Sequence, residues 1–314
     1  MIPSHARPFR GIYAATLTPL DARDRIDEER LAAQFTELAG HDGIVGVLCN
    51  GHAGEVFLLD RAERRRVVEI ARESIGDRAI IVSGVLAEES REAQRHAADA
   101  RDAGADALLV FPPFSWALSQ EPGMVLRHHR MVAEAADMPM MLYQAGVGAG
   151  RMAYPPATLA RLVELPQVVG VKEGSWESAA YDAHRRLVAE VAPHVEMMAS
   201  GDEHLLSCFA LGSDGSLVSL AVLMPDEIVA LDRAVARGDI PAARALHARI
   251  QPLANAIYGA APGGFATVRL KCCMELLGRW PLGHGRPPIG ALDAGERQRL
   301  RIALAHAGLL EMVA

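Results

Sequence analysis

Lysine is nearly absent from this chain of 314 residues. Lysine and arginine together number 32, and only two of these, Lys172 and Lys271, are lysines. Arginine supplies the rest of the positive charge, so a retained lysine is a candidate for chemistry that a guanidinium cannot perform. A buried ammonium group can lose its proton and become a nucleophile. Lys172 follows the apolar run 168–171, and it is either a strand end that reaches water or a reactive amine.

Features of several other protein classes are also missing. The net charge is −7, and no basic cluster interleaved with aromatic residues occurs, which argues against a nucleic-acid partner. The four cysteines form no CxxC pair, so we expect reduced thiols and no metal site. The first ten residues lack the apolar segment of a signal peptide, and no run is long and apolar enough to cross a bilayer. We therefore expect a cytoplasmic protein that has no contact with membranes.

Eight short runs rich in β-branched and apolar residues recur along the chain, and helical periodicity follows them. Several runs are almost continuously apolar, which is typical of strands buried on both faces of a parallel sheet. The pattern predicts a (β/α)8 TIM barrel with a C-terminal α-helical extension. An open doubly wound sheet is the alternative, but it more often has a glycine fingerprint after the first strand, which this sequence lacks. The eight runs are 11–17, 43–48, 79–85, 107–111, 138–143, 168–171, 195–199 and 215–220.

The segment after the eighth run is too long for one closing helix. We predict a barrel domain over residues 8–224 and a helical region over residues 225–314 that packs on the barrel. Lys271 falls within a helical pattern of this region, and we expect a structural role for it. The helical patterns of the region are 226–237, 240–257, 265–277 and 294–310.

A TIM barrel carries its active site at the carboxyl ends of its strands. Lys172 ends the sixth strand and Tyr143 ends the fifth, so both side chains should share one mouth. A desolvated Lys172 would be partly neutral near pH 7, could attack a ketone and form a Schiff base, and Tyr143 would move protons. The glycine-rich loop 49–55 could hold a carboxylate with its backbone N–H groups. Glu173 should point to the opposite face of the strand, so we expect a structural role for it.

At these residues the chain resembles the dihydrodipicolinate synthase / N-acetylneuraminate lyase family of class I aldolases and dehydratases. The resemblance extends over roughly residues 11–310 and depends on the order and spacing of several short motifs. It implies Lys172 as the Schiff-base lysine, a 2-oxo acid substrate such as pyruvate, no cofactor, and a homo-oligomer, commonly a tetramer. The substrate-binding residues that it implies are Gly51, His52, Ala53, Leu217 and Thr18. The matching motifs are 16–19, 51–55, 104–110 with Pro112, 142–143, 170–173, 200–202 and 286–288.

The chain also departs from the pattern of the synthase. His52 and Ala53 stand where that family has two threonines, so a hydroxyl of the proton relay is missing. Phe114 stands where a second relay tyrosine enters from a neighbouring subunit. Gly148 stands where an arginine binds the carboxylate of the second substrate. We therefore expect a different aldolase, lyase or dehydratase that acts on a 2-oxo acid or a 2-keto-3-deoxy sugar acid.

Two further expectations concern the pocket. Its wall should be less polar than in the synthase because Phe114, Trp116 and Leu217 contribute to it. His52 could act as an acid or base, could hydrogen-bond the substrate, or could be a loop histidine that faces water.

Two other functions would also be consistent with these residues. A non-catalytic family member could bind a 2-oxo acid as a sensor or scaffold, which the lost hydroxyls favour. A pyridoxal-phosphate enzyme would be a third use of a reactive lysine. Retention of both Lys172 and Tyr143 opposes the sensor, since a sensor needs neither a nucleophile nor a proton shuttle.

Overall fold

The computed structural model describes residues 9–311, and its eight strands form a closed parallel barrel. Each strand pairs with the next one along the chain, and β8 pairs with β1. This confirms the predicted TIM barrel; residue 8 and residues 312–314 of the predicted domains lie outside the described residues. The strands are β1 Gly11–Ala15, β2 Ile44–Cys49, β3 Ile80–Val85, β4 Ala107–Val110, β5 Met140–Gln144, β6 Val168–Glu173, β7 Glu196–Ala199 and β8 Gly215–Val218.

Eleven α-helices are present among the described residues, and several of them begin at a side-chain cap. Asp60 and Glu63 form a reciprocal capping box at the start of α2. Asp27 and Asp293 accept backbone N–H bonds at the starts of α1 and α11. The helices are α1 Glu28–Gly40, α2 Arg61–Ile75, α3 Ser90–Asp102, α4 Pro122–Ala136, α5 Pro156–Val163, α6 Ser178–Val191, α7 Leu205–Ala210, α8 Pro225–Ala236, α9 Ile240–Tyr258, α10 Ala266–Leu276 and α11 Ala294–His306.

The hydrophobic core has an inner and an outer part. Inward-facing side chains, among them Tyr13, Leu109 and Met141, fill the barrel itself. Apolar side chains on the other face of the strands pack against the surrounding helices. One of the outer clusters continues into α9, α10 and α11, so the C-terminal helices share a core with the barrel. A boundary between residues 224 and 225 stays a prediction.

The second lysine connects this extension to the barrel. Lys271 of α10 is fully buried and forms an ion pair with Glu55, whose backbone has a φ of 56° in the loop after β2. Four residues earlier in α10, the Thr267 hydroxyl donates a hydrogen bond of 3.2 Å to the carbonyl of His52. The predicted structural role of Lys271 is therefore confirmed, since this lysine helps α10 to hold the loop after β2. None of the helices described here is both long and apolar enough to span a membrane.

Candidate active site

A cavity of about 400 Å³ opens where the strands end. Its walls come from the strand ends, from the loops after β2, β4, β6 and β7, and from the segment that joins α9 to α10. Six of the seven residues predicted for catalysis or binding line it. These are Lys172, Tyr143, Gly51, His52, Ala53 and Leu217.

Lys172 lies on β6, between its neighbours β5 and β7, at the base of this cavity. It is 8% exposed, and its register partner on β5 is Tyr143. The Lys172 Nζ lies 5.7 Å from the centroid of the Tyr143 ring. Burial lowers the pKa of this lysine to about 8, although the nearby Asp202 carboxyl opposes part of the effect. At pH 7, about a tenth of the amine is therefore uncharged and nucleophilic, far more than for an exposed lysine.

Tyr143 is held as a neutral phenol. Burial raises its pKa above the ordinary value for tyrosine, and the charge of Glu173 adds to the effect. A Cβ added at Gly174 would lie 3.1 Å from the Tyr143 hydroxyl, so glycine leaves room for this hydroxyl. The phenol can donate a proton to a reacting atom and take it back, which suits a shuttle.

The loop after β2 offers free backbone donors to the cavity. The backbone N–H groups of His52 and Ala53 donate no hydrogen bond to any residue in the described part of the chain. The loop packs closely against β3, since a Cβ at Gly84 of that strand would lie 1.9 Å from the carbonyl oxygen of Asn50. Two adjacent N–H groups that are free at a cavity wall can bind an anion such as a carboxylate.

Thr18 is not brought to the cavity. Its hydroxyl is buried and donates a hydrogen bond of 2.8 Å to the carbonyl of Gly54. Thr18 therefore holds the loop after β2 through this hydrogen bond, and it is not among the described residues that line the cavity. The sequence resemblance placed it near the site, but it could not distinguish a supporting contact from a lining one.

His52 presents its ring to the cavity. The ring stacks on Phe111 at 4.3 Å between centroids and meets the Tyr143 ring edge-on at 5.3 Å. Burial, with a smaller contribution from Lys172, lowers the pKa of His52 to about 3. Its Nε2 is buried and has no hydrogen-bond partner among the described residues. The imidazole is therefore neutral at physiological pH, and its Nε2 is available to hydrogen-bond a ligand.

The outer wall of the cavity is aromatic. Phe114 is 42% exposed at the mouth, and Phe57 lies beside it with 6.2 Å between ring centroids. The expectation that Trp116 contributes to this wall is wrong. Trp116 is buried against His128 with 5.4 Å between ring centroids. Phe114 and Trp116 both lie on the short 3-10 helix Phe114–Ala117, which points their side chains in different directions. No arginine is among the described residues that line the cavity.

Several lining residues were not predicted as functional, and three of them carry hydrogen-bonded polar groups. Asp202 follows β7, and its buried carboxylate accepts the backbone N–H of Leu220 at 2.7 Å. Tyr258, the last residue of α9, hydrogen-bonds Ser219 through its hydroxyl. Trp176 donates its indole N–H to the Glu203 carboxylate at 2.8 Å. The motif 200–202 was a signal for Asp202, whereas Tyr258 lies far along the chain in a helix without a local motif.

Glu173 behaves as predicted from strand alternation. It points away from the cavity, and its carboxylate contacts His184 Nδ1 at 2.8 Å and the Ser175 hydroxyl at 3.0 Å. Across residues 9–311, no group of three or more His, Cys, Asp and Glu side chains has the arrangement of a metal site.

Comparison with known proteins identifies the family. A model of the dihydrodipicolinate synthetase family matches residues 8–307. The chain belongs to that family. Members of the family are lyases of the class I aldolase type, and this chain is one of these enzymes.

Curated relatives and solved structures agree with this assignment. A 4-hydroxy-tetrahydrodipicolinate synthase of Methanopyrus kandleri is 31% identical over 96% of this chain and 97% of its own length. A DapA-like lyase of Halobacterium salinarum is 30% identical over 96% of this chain and 95% of its own. A prophage protein of this family from E. coli K12, solved in complex with pyruvate, has a TM-score of 0.87 and 25% identity, with 96% and 99% of the two chains covered.

Proposed function

We propose that this protein is a Schiff-base-forming lyase that acts on pyruvate or a related 2-oxo acid, including 2-keto-3-deoxy sugar acids. The observation that carries this proposal is the state of Lys172. Its amine is buried at the base of a cavity, has a pKa near 8, and lies beside a neutral phenol from the adjacent strand. This is the environment that makes a lysine nucleophilic toward a ketone.

The geometry supports a sequence of steps. The substrate carboxylate binds the free N–H groups of His52 and Ala53, which directs the C2 ketone toward Lys172. The neutral amine attacks C2, and Tyr143 donates a proton to the C2 oxygen and takes one back from the nitrogen. A second proton from Tyr143 lets the hydroxyl leave as water, which gives a protonated imine and the Tyr143 phenolate. The imine withdraws electrons, so either the C3–C4 bond or the C4–O bond can break next. The first case is aldol cleavage and the second is dehydration.

The lining residues support an activity other than that of the synthase, whose name several relatives carry. Ala53 provides no hydroxyl for proton transfer, and Phe114 presents an apolar ring at the mouth. Lys172, which holds the substrate as the imine, is the single Lys or Arg among the described lining residues, so the wall offers no second ammonium or guanidinium group to a distal carboxylate. A distal group without a carboxylate suits these walls better, because a buried anion without a cation is costly.

The likeness to the family also suggests a cytoplasmic homo-oligomer, either a dimer or a tetramer. Phe114, Leu118 and Val147 are exposed apolar side chains near the cavity mouth, and a subunit interface would cover them. Light scattering during size-exclusion chromatography would give the mass of the assembly, and a monomer would contradict this expectation.

The proposed function is tested by trapping the imine. The protein is incubated with pyruvate, reduced with borohydride, and digested for mass spectrometry. We expect one adduct on Lys172 and none in the Lys172→Arg variant, because a guanidinium stays protonated. Pyruvate release from 4-hydroxy-2-oxopentanoate then measures aldol cleavage, and loss of water from 2-keto-3-deoxygluconate measures dehydration. An adduct on Lys271, or no adduct with a panel of 2-oxo acids, would contradict the proposal.

A further inference from the structure

The cavity has a second proton-carrying side chain on the opposite side of Lys172 from Tyr143. Strands β5, β6 and β7 are consecutive in the barrel. Tyr143 lies on β5, Lys172 on β6, and Asp202 follows the end of β7. All three side chains line the same cavity, so Tyr143 and Asp202 flank the amine from its two sides.

The Asp202 carboxyl group is fixed in place by hydrogen bonding. One oxygen accepts the backbone N–H of Leu220 at 2.7 Å, and the Tyr258 hydroxyl interacts with the carboxyl group while it also contacts Ser219. Asp202 is 4% exposed, and it is the only carboxylic acid among the described residues that line the cavity. Buried carboxyl groups are costly to desolvate, so one that faces a cavity calls for an explanation beyond stability.

We propose that Asp202 is a catalytic residue that exchanges a proton with the C4 hydroxyl of the substrate held as an imine on Lys172. The proposal rests on the proposed function above and assigns its second proton transfer. In aldol cleavage, the carboxylate takes the C4 hydroxyl proton, the C3–C4 bond breaks, and its electron pair enters the iminium to form an enamine. The C4 oxygen forms the carbonyl of the leaving aldehyde, and the enamine regains a proton at C3 before hydrolysis to pyruvate.

The same group serves dehydration in the opposite direction. The Tyr143 phenolate, formed when Tyr143 gave its proton to the departing water, removes a C3 proton and converts the iminium into an enamine. The enamine electrons then form the C3–C4 double bond as the C4–O bond breaks. Protonated Asp202 gives its proton to the departing hydroxide, which leaves as water. In both reactions the C4 oxygen is the atom that gains or loses the proton, and no oxidant or added reactant is needed.

The other polar groups at the cavity are less suited to this transfer. His52 lies on the Tyr143 side of the cavity and is neutral, with a pKa near 3. The Thr267 hydroxyl is already committed to a backbone carbonyl, and Ser219 is bonded to Tyr258. Ser200, the remaining aliphatic hydroxyl of the lining, is an alcohol, which is a much weaker acid than a carboxyl group.

The ionisation of Asp202 agrees with the geometry. Burial raises its pKa to about 7, while the Leu220 N–H and the charge of Lys172 act in the opposite direction. The titratable groups that face it are Lys172 from β6, Tyr258 from α9 and Glu203 from its own loop. A carboxyl group near neutrality can both accept and donate a proton at physiological pH.

The experiment compares Asp202→Asn with Glu203→Gln. The asparagine retains an oxygen for the Leu220 N–H but cannot exchange a proton, and the glutamine variant removes the adjacent carboxylate while it retains an acceptor for the Trp176 indole. Each variant is assayed for borohydride trapping of pyruvate and for turnover of 4-hydroxy-2-oxopentanoate and 2-keto-3-deoxygluconate. We expect Asp202→Asn to trap pyruvate on Lys172 as the parent does but to lose roughly 10²–10⁴-fold in kcat. Glu203→Gln should stay within about threefold of the parent, as expected for a carboxylate outside the cavity wall.

Two further measurements separate catalysis from a structural role. In the parent protein, kcat should follow an apparent pKa near 7 that disappears in Asp202→Asn, because Lys172 is already an imine in the bound state. Formate should restore part of the turnover of Asp202→Ala, since it replaces the missing carboxylate. Near-parental kcat and an unchanged pH profile in Asp202→Asn would overturn the proposal, as would a parent protein that traps pyruvate on Lys172 but turns over neither substrate. Absence of trapping in the parent would instead overturn the proposed function.

Discussion

Replacing Lys172 with methionine should stabilise the protein at neutral pH. A lysine exposed in the unfolded chain has a pKa of about 10.4, whereas burial lowers the pKa of Lys172 to about 8 in the fold. At pH 7 the folded protein therefore holds a partly desolvated ammonium group that the unfolded chain hydrates freely. A pKa difference of this size between the unfolded and folded states lowers the free energy of unfolding at pH 7 by up to about 3 kcal/mol, at about 1.4 kcal/mol per pKa unit.

The pH dependence gives the sign of the effect. Between about pH 8 and pH 10.4 the unfolded chain binds more protons at this lysine than the folded protein does, so the free energy of unfolding rises with pH. The destabilisation is complete below pH 8 and is absent above pH 10.4. Urea denaturation at pH 7 and at pH 10.5 would measure it. We expect Lys172→Met to exceed the parent in stability at pH 7 by roughly 1–3 kcal/mol and to lose this advantage at pH 10.5.

Lys271 is the matched control because it is the other lysine and is also buried. It pairs directly with Glu55, so Lys271→Met leaves a buried carboxylate without its cation. Breaking a buried pair in this way costs roughly 3–5 kcal/mol. The two lysine-to-methionine variants should therefore change stability in opposite directions at pH 7. A Lys172→Met protein that is less stable than the parent at pH 7 would refute the inference that this amine is desolvated without a close counter-ion.

Three other substitutions test the remaining parts of the site. Tyr143→Phe should slow turnover by roughly 10²–10⁴-fold and leave the melting temperature nearly unchanged, as steady-state kinetics and calorimetry would measure. His52→Phe keeps the stacking on Phe111 and removes the ring nitrogens, so we expect KM to rise up to about tenfold with little change in kcat, and equal KM values would exclude a hydrogen bond to the substrate. Gly84→Ala places a Cβ within 1.9 Å of the Asn50 carbonyl oxygen, so it should displace the loop after β2, and parental pyruvate binding in this variant would show that the loop position is unimportant.

Most of the barrel was predictable because its strands have a strong local signature. Apolar, β-branched runs interrupted by amphipathic helices are dictated by burial on both faces of a parallel sheet. Once the strands are assigned, the fold places their carboxyl ends together, so strand order predicts that Lys172 and Tyr143 share one mouth, and the structure adds their register pairing. Alternation along β6 likewise predicts that Glu173 leaves the cavity, as the structure shows.

The rest of the site depends on contacts between residues far apart in the sequence. Tyr258 reaches the cavity because α9 and α10 fold back over the barrel mouth, and no local pattern encodes that position. The direction of Trp116 depends on one short helical turn, and the supporting contact of Thr18 depends on a single hydrogen bond to Gly54. Sequence periodicity can place a residue near a site, but it cannot predict whether a loop side chain points into the cavity or away from it.

The most direct test of the account is the site of covalent attachment of pyruvate. Mass spectrometry of borohydride-reduced protein, measured from pH 6 to pH 10, would give both the modified residue and the rate of modification. We predict modification of Lys172 alone, with a rate that rises about tenfold per pH unit below pH 8 and levels off above it. Modification that is absent from Lys172, or a rate that still rises steeply between pH 9 and pH 10, would contradict a desolvated, partly neutral amine at the base of the cavity.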